Sequence, residues 1–182
     1  MNIYLTSYGL DTRYKDYMNS YKDIINLLQN KKVAIIPNAK LINEDRTNSQ
    51  IAHDELLKNN IQSEIIDLDK NRLIIEKYDV LYLSGGEPKN LMDSIIRNNQ
   101  YEIIKEFIDN GGIVIGQSAG AMIFHKEYLD TTTGKLRIMR NGFGYCNKII
   151  VPHYDNLSSE LLAEIPKVIL AVNDNDRLYK IV

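Results

Sequence analysis

Three short runs of uninterrupted apolar residues constrain this chain more than any other feature: Val33-Ala34-Ile35-Ile36, Val80-Leu81-Tyr82-Leu83 and Ile113-Val114-Ile115. A strand with one wet face alternates apolar and polar side chains. A run that is apolar at every position must be covered on both faces, which is the situation of a central strand in a parallel sheet. Each run gives way at once to a chain-turning residue: Pro37, Ser84-Gly85-Gly86 and Gly116. Between the runs lie segments of helical period. Tyr17, Tyr21, Ile24, Ile25 and Leu28 predict a helix of about four turns. Leu91, Met92, Ile95 and Ile96, with Pro88 suited to the first turn, predict a second, and Ile103, Ile104, Phe107 and Ile108 a third, stopped by Gly111-Gly112.

The remaining segments fit the same alternation. Ile3 to Thr6 reads as a first strand, Ser63 to Leu68 as another, and Leu73 to Lys77 as a short helix. Thr47 and Gln50 fit a capping box that opens a helix through about Lys58. Thr131 to Gly134 reads as a turn, and Lys135 to Asn147 as a hairpin or an irregular excursion. Lys148 to Val151 and Val168 to Val172 are strands, with a short helix capped by Ser158 or Ser159 between them, and Leu178 to Val182 is an edge strand. The expected fold is therefore α/β: one domain over residues 1–182, a three-layer, doubly wound, mostly parallel sheet with helices on both faces.

Composition narrows the function classes. The net charge of −2 gives no reason to expect nucleic acid or an anionic membrane as a partner. One cysteine, Cys146, leaves neither an internal disulfide nor a cysteine-based metal site. No apolar run approaches the ~20 residues that span a bilayer. Residues 1–5 lack the basic and apolar regions of a signal peptide, so a cytoplasmic location is the expectation.

The third apolar run opens into Gly116-Gln117-Ser118-Ala119-Gly120-Ala121, and Ala121 to Phe124 reads as a helix start. A serine is thus pinned at a strand-to-helix corner with a glycine two residues to either side, the pattern of a nucleophile elbow. The sharp turn needs small neighbours, and it pushes the hydroxyl above the sheet edge. The N–H of Ala119 then points where an oxyanion would form, and the following helix adds its positive end. The plainer reading is a glycine-rich turn with Ser118 as an ordinary N-cap.

A serine hydroxyl needs a base. His53 falls on the weak second helix, and His125 lies two turns beyond Ser118 on one helix, about 10 Å along its axis and out of reach. His153 ends a strand at the same sheet edge as the elbow and is the expected base. The third member should be a carboxylate that orients the imidazole. Glu127, Asp130, Asp155, Asp174 and Asp176 are the candidates, with Asp130 preferred, and Glu127 and Asp174 behind it. Gly85-Gly86 is the expected second half of an oxyanion hole, the plainer reading being a tight turn, and Glu87 is either a contact for a substrate amine or a carboxylate that favours the start of the following helix.

Leu83-Ser84-Gly85-Gly86 with its following helix, the elbow Gly116 to Ala121, and Pro152-His153-Tyr154 together resemble the aspartyl dipeptidase (peptidase E) and cyanophycinase family of serine peptidases, in order and in strand placement. The resemblance implies a class I glutamine-amidotransferase-like fold and hydrolysis of short peptides through an acyl-enzyme, without metal or cofactor. It implies Ser118 as nucleophile, His153 as base, and Gly86 and Ala119 as oxyanion N–H donors. The family's acid lies in a Thr-Thr-containing segment after the nucleophile helix, which points to the region of Asp130 to Thr132. It also implies a possible homodimer. Two features depart from the dipeptidases: Glu87-Pro88 replaces an Asn after the diglycine, and Asn156 to Ile165 holds no Arg or Lys for a substrate carboxylate, leaving Arg137 and Arg140 as substitutes.

Overall fold

The computed structural model describes residues 1–17, 19–41, 43–130, 136–165 and 168–181. In chain order the elements are β1 (Asn2–Thr6), α1 (Asn19–Leu27), β2 (Lys32–Ile36), α2 (Thr47–Lys58), β3 (Gln62–Ile65), β4 (Val80–Leu83), α3 (Pro88–Arg97), α4 (Tyr101–Asp109), β5 (Ile113–Gln117), α5 (Ala119–Met122), β6 (Tyr128–Asp130), β7 (Arg137–Met139), β8 (Ile149–Pro152), α6 (Ser159–Glu164), β9 (Ile169–Val172) and β10 (Tyr179–Lys180). Short 3₁₀ turns cover Thr12–Tyr17, Ile75–Lys77 and Tyr154–Asn156.

Six strands form one sheet in the order β10-β1-β5-β4-β2-β3. All neighbours are parallel except β10, which runs antiparallel along the outer edge of β1. The apolar runs supply the centre, and their alternate residues point into two different cores. Val33, Ile35, Val80, Tyr82 and Ile115 pack with Ile24, Ile25 and Leu28 at α1 and with Ala52 and Leu56 of α2. Ala34, Ile36, Leu81, Leu83 and Val114 pack with Leu91, Met92 and Ile95 of α3 and with Ile104 and Ile108 of α4. That two-sided packing is why the runs could not alternate, and it makes the three layers.

Three local expectations are corrected. The first helix is shorter than predicted: α1 begins at Asn19, and the preceding 3₁₀ segment is kinked at Tyr14, whose φ of −109° and ψ of 57° are not helical. The capping box at Thr47 does not form. Arg46 is the N-cap, and Thr47 is already helical with its N–H donating to Asp45 Oδ1 at 2.8 Å. The helix after the elbow is a single turn, because the carbonyls of Ile123 and Phe124 accept from Phe143 and Cys146 at 2.8 and 2.9 Å instead of continuing a helix. His125 therefore lies off that helix, in a bridge to Cys146.

β6 pairs antiparallel to β7 as a two-stranded sheet; the turn expected at Thr131 to Gly134 lies outside the described residues. β8 and β9 do not join the main sheet. They pair in parallel as a sheet of their own, covered by Ile165 and by residues of α6. Ser158 caps α6 by accepting from Leu161 N–H. Among the described residues, no helix is long and apolar enough to cross a membrane.

Candidate active site

Ser118 sits where β5 ends and α5 begins, with φ of 49° and ψ of −109°. Five described non-glycine residues have positive φ; three are asparagines, which tolerate it, and the other two are Ser118 and His153. Such conformations cost about 1–3 kcal/mol each and persist where the surroundings over-determine them. At the elbow the surroundings are backbone. The N–H of Ser118 donates to the carbonyl of Thr6 at 2.8 Å. A Cβ on Gly120 would stand 2.2 Å from the carbonyl oxygen of Leu83, so only glycine lets the turn lie this close to β4.

Ser118 is no ordinary N-cap, since its side chain makes no capping bond. Its hydroxyl instead lies 3.1 Å from Nε2 of His153. His153 follows β8 directly, in a left-handed conformation with φ of 55°. Its Nδ1 is hydrogen-bonded to Oδ1 of Asp174. A carboxylate accepts only, so Nδ1 carries the proton and Nε2 is left as an acceptor for the serine hydroxyl. The Asp174 carboxylate is fully buried, and a buried charge needs its lone pairs filled. Asn156 Nδ2 donates to its Oδ2, and the Asp174 N–H is held by Asp155 at 3.1 Å. The ring of Tyr8 meets the imidazole edge-on at 4.7 Å.

The preferred acid, Asp130, is not beside His153. The β6–β7 register sets Asp130 opposite Arg137, whose Nη2 donates to its fully buried carboxylate at 2.7 Å. Asp174 takes that place because β8 and β9 are parallel neighbours with Pro152 opposite Val172. The residues just past both strand ends emerge at one edge, so His153 and Asp174 meet. The sequence shows that His153 and Asp174 each follow a strand, but not that those two strands pair in this register. The other candidates are engaged elsewhere: Glu127 with Arg140 at 3.0 Å and Asp176 with the N–H of Asn173 at 2.7 Å. Arg137 and Arg140, the substitute cations, are thereby both paired. His53 bonds Ser63 and His125 accepts from the N–H of Glu127.

The diglycine turn lies against the elbow. A Cβ on Gly85 would meet Cβ of Ser118 at 3.3 Å. Gly86 has φ of +147°, and a Cβ there would stand 2.4 Å from the carbonyl oxygen of Ala39. That carbonyl accepts the N–H of Glu87 at 2.7 Å, and Asn48 Nδ2 donates to the carbonyl of Gly85 at 2.8 Å. The Ala39 loop is itself held by Arg46, which pairs with Asp67 at 2.7 Å and donates to the carbonyl of Lys40. Ala119 is the first residue of α5, so its N–H has no intrahelical acceptor. Partial burial raises the pKa of Glu87, reinforced by the nearby Asp130 charge; Lys40 opposes this and Glu44 adds to it. Among the described residues, no cluster of His, Cys, Asp and Glu could hold a metal ion.

A sheet that presents a serine on a strained strand-to-helix corner, backed by an imidazole and a carboxylate, is the arrangement of a serine hydrolase. A family model described as Peptidase family S51 matches residues 3–182. The chain belongs to that family, the peptidase E family, and is a serine peptidase. An uncharacterized peptidase of Pasteurella multocida (strain Pm70) is 27% identical over 160 residues, covering 81% of this chain and 76% of that one. Another, from Listeria monocytogenes serovar 1/2a, is 25% identical over 191 aligned positions, covering 99% and 90%. Among solved structures, a Listeria monocytogenes EGD-e protein assigned to peptidase E superposes with a TM-score of 0.71 at 21% identity, covering 98% of this chain and 96% of that one. A peptidase from an acI-B1 Actinobacterium superposes with a TM-score of 0.64 at 20% identity, covering 91% and 72%. At these identities the structural likeness speaks for the fold: α/β, with a mostly parallel central sheet.

Proposed function

We propose that the chain hydrolyses short peptides, dipeptides among them, through an acyl-enzyme formed on Ser118. The observation that carries this reading is the unbroken line from Ser118 Oγ to His153 Nε2 at 3.1 Å and from His153 Nδ1 to the buried Asp174. His153 takes the hydroxyl proton as Oγ attacks the scissile carbonyl carbon. Asp174 holds the tautomer and stabilises the imidazolium that forms. The N–H groups of Gly86 and Ala119 receive the oxyanion, with Gly85 shaping the turn between them. The imidazolium then protonates the leaving amine, the peptide bond breaks, and water attacks the ester by the same route in reverse.

Glu87 gives the reading its substrate class. Its carboxylate makes no hydrogen bond or ion pair with a described residue, sits one residue past Gly86 and is partly withdrawn from water. A protonated α-amino group on the acyl side of the substrate satisfies it, which favours peptides cleaved next to a free N-terminus. No cation among Asn156 to Ile165 supports a requirement for an aspartyl side chain.

A fluorophosphonate probe and a dipeptide panel test the reading together. Ser118 should be labelled, and Ser118→Ala should lose labelling and at least about 10³-fold in kcat/KM while keeping its Tm, since removing a triad nucleophile costs up to about 10⁶. Residual turnover within about tenfold of wild type would remove Ser118 from the chemistry.

A further inference from the structure

The two halves of the site belong to different sheets, and they meet at the end of β1. Thr6 accepts the N–H of Ser118, which ties the nucleophile's backbone to β1. One residue on, the hydroxyl of Ser7 accepts the N–H of His153 at 3.0 Å and donates to the carbonyl of Val172 at 2.8 Å. Val172 ends β9 two residues before Asp174. A single hydroxyl, 2% exposed, thus bridges the ends of β8 and β9 to the strand beside the nucleophile.

The loop around Ser7 is fixed independently of it. Gly9 N–H donates to Thr6 Oγ1 at 3.0 Å, Leu10 N–H to the Tyr82 hydroxyl at 3.0 Å, and Gln117 Nε2 to the carbonyl of Tyr8 at 2.7 Å. Ser7 therefore acts as a fixed bracket on which the base and acid hang. His153 gains from such a bracket, because a left-handed backbone is a minority conformation even for histidine, which adopts it more readily than most residues.

We propose that Ser7 is a positioning residue of the hydrolytic site, setting the distance between the His153 imidazole and the Ser118 hydroxyl by holding the backbones that carry His153 and Asp174. The proposal rests on the reading of Ser118 and His153 as nucleophile and base. Ser7 touches no reacting atom; its influence passes through the N–H of His153.

The test compares wild type with Ser7→Ala and Ser7→Cys. Turnover is counted per probe-reactive site, so that loss of folded protein does not register. A misplacement of about 1 Å can cost about a hundredfold. Ser7→Ala should lower kcat about ten- to a hundredfold with KM within about twofold. It should also broaden or remove the low-field proton resonance of His153 Nδ1. Ser7→Cys keeps the volume but is a weak donor, and should fall between the two. A folded Ser7→Ala protein within about threefold of wild-type kcat, with the resonance unchanged, overturns the proposal. If Ser7→Ala does not fold, Ser7→Cys with full kcat and an unchanged resonance overturns it. If wild type neither labels nor turns over, the peptidase reading fails, and the resonance alone decides: lost in the Ser7 variants, the bracket stands; unchanged, it falls.

Discussion

The serine proposed as nucleophile and the groups proposed to activate it are held by opposite means. Ser118 is positioned by main chain packed against main chain: Gly120 under Leu83, its own N–H on Thr6, and the neighbouring Gln117 side chain bonded to Tyr82 and Tyr8. His153 and Asp174 hang from a two-stranded sheet whose covering helix, α6, has no buried residue, and the His153 side chain is 29% exposed. Side-chain hydrogen bonds from Ser7, Asn156 and Asp155 do the work there that packing does at the elbow. The elbow's geometry cannot shift without disturbing the core, whereas the imidazole's geometry can be lost with the core intact. Apart from loss of the Ser118 hydroxyl itself, substitutions that disturb the elbow's backbone packing should cost stability, and those on the imidazole side should slow turnover.

Among residues that only support the Ser118 hydroxyl, the largest expected effect lies on the imidazole side. Asp174→Asn keeps shape but presents an amide to Nδ1, which favours the wrong tautomer. In a triad that change lowers kcat by about 10⁴, so a loss of about 10³–10⁴ with a modest change in Tm is expected. Asp130→Asn removes a carboxylate that pairs with Arg137 and not with His153; its kcat should stay within about tenfold. Steady-state rates of the two variants on one dipeptide decide the matter, and a larger loss from Asp130→Asn would restore it as the acid.

The elbow side should respond in stability. Gly120→Ala places a methyl 2.2 Å from the carbonyl oxygen of Leu83, against backbone that has no rotamer to yield. Overpacking of this kind costs about 1–3 kcal/mol. For a domain of this size each kcal/mol lowers Tm by about 2–4 °C, so a drop of roughly 2–12 °C in a thermal melt is expected. A Gly120→Ala protein with wild-type Tm and impaired kcat would erase the contrast between the two halves.

The same contrast explains what could be read from the chain in advance. The apolar runs were legible because two-sided burial leaves no polar position. The elbow was legible because a turn this tight admits few residue types. The partner of His153 was not, because it depends on two registers, Pro152 against Val172 and Asp130 against Arg137, set between segments far apart in sequence. The end of α5 at Met122 was hidden for a similar reason: the competing donors come from Phe143 and Cys146, twenty residues on. Ser7 carried no signal, since a serine after a strand is ordinary until its hydroxyl is seen joining two others.

Glu87 offers the smallest and finest test, because it belongs to neither scaffold half and should affect binding alone. A partly exposed ion pair contributes about 0.5–1 kcal/mol, so Glu87→Gln should raise KM for dipeptides about two- to fivefold with kcat little changed. Removing the substrate's charge by N-acetylation should raise KM in wild type and leave the variant indifferent. The pH dependence follows from the direction of the shift. Burial, with the Asp130 charge behind it, raises the Glu87 pKa above the ordinary carboxylate value of about 4.3, so the ionised form that pairs with an amine is lost sooner as pH falls from neutral. KM in wild type should therefore climb on the acidic side before a normal glutamate would protonate, and Glu87→Gln should lack that limb. A KM profile that is the same in both proteins would assign the amine to another group and leave Glu87 as a helix-start carboxylate beside α3.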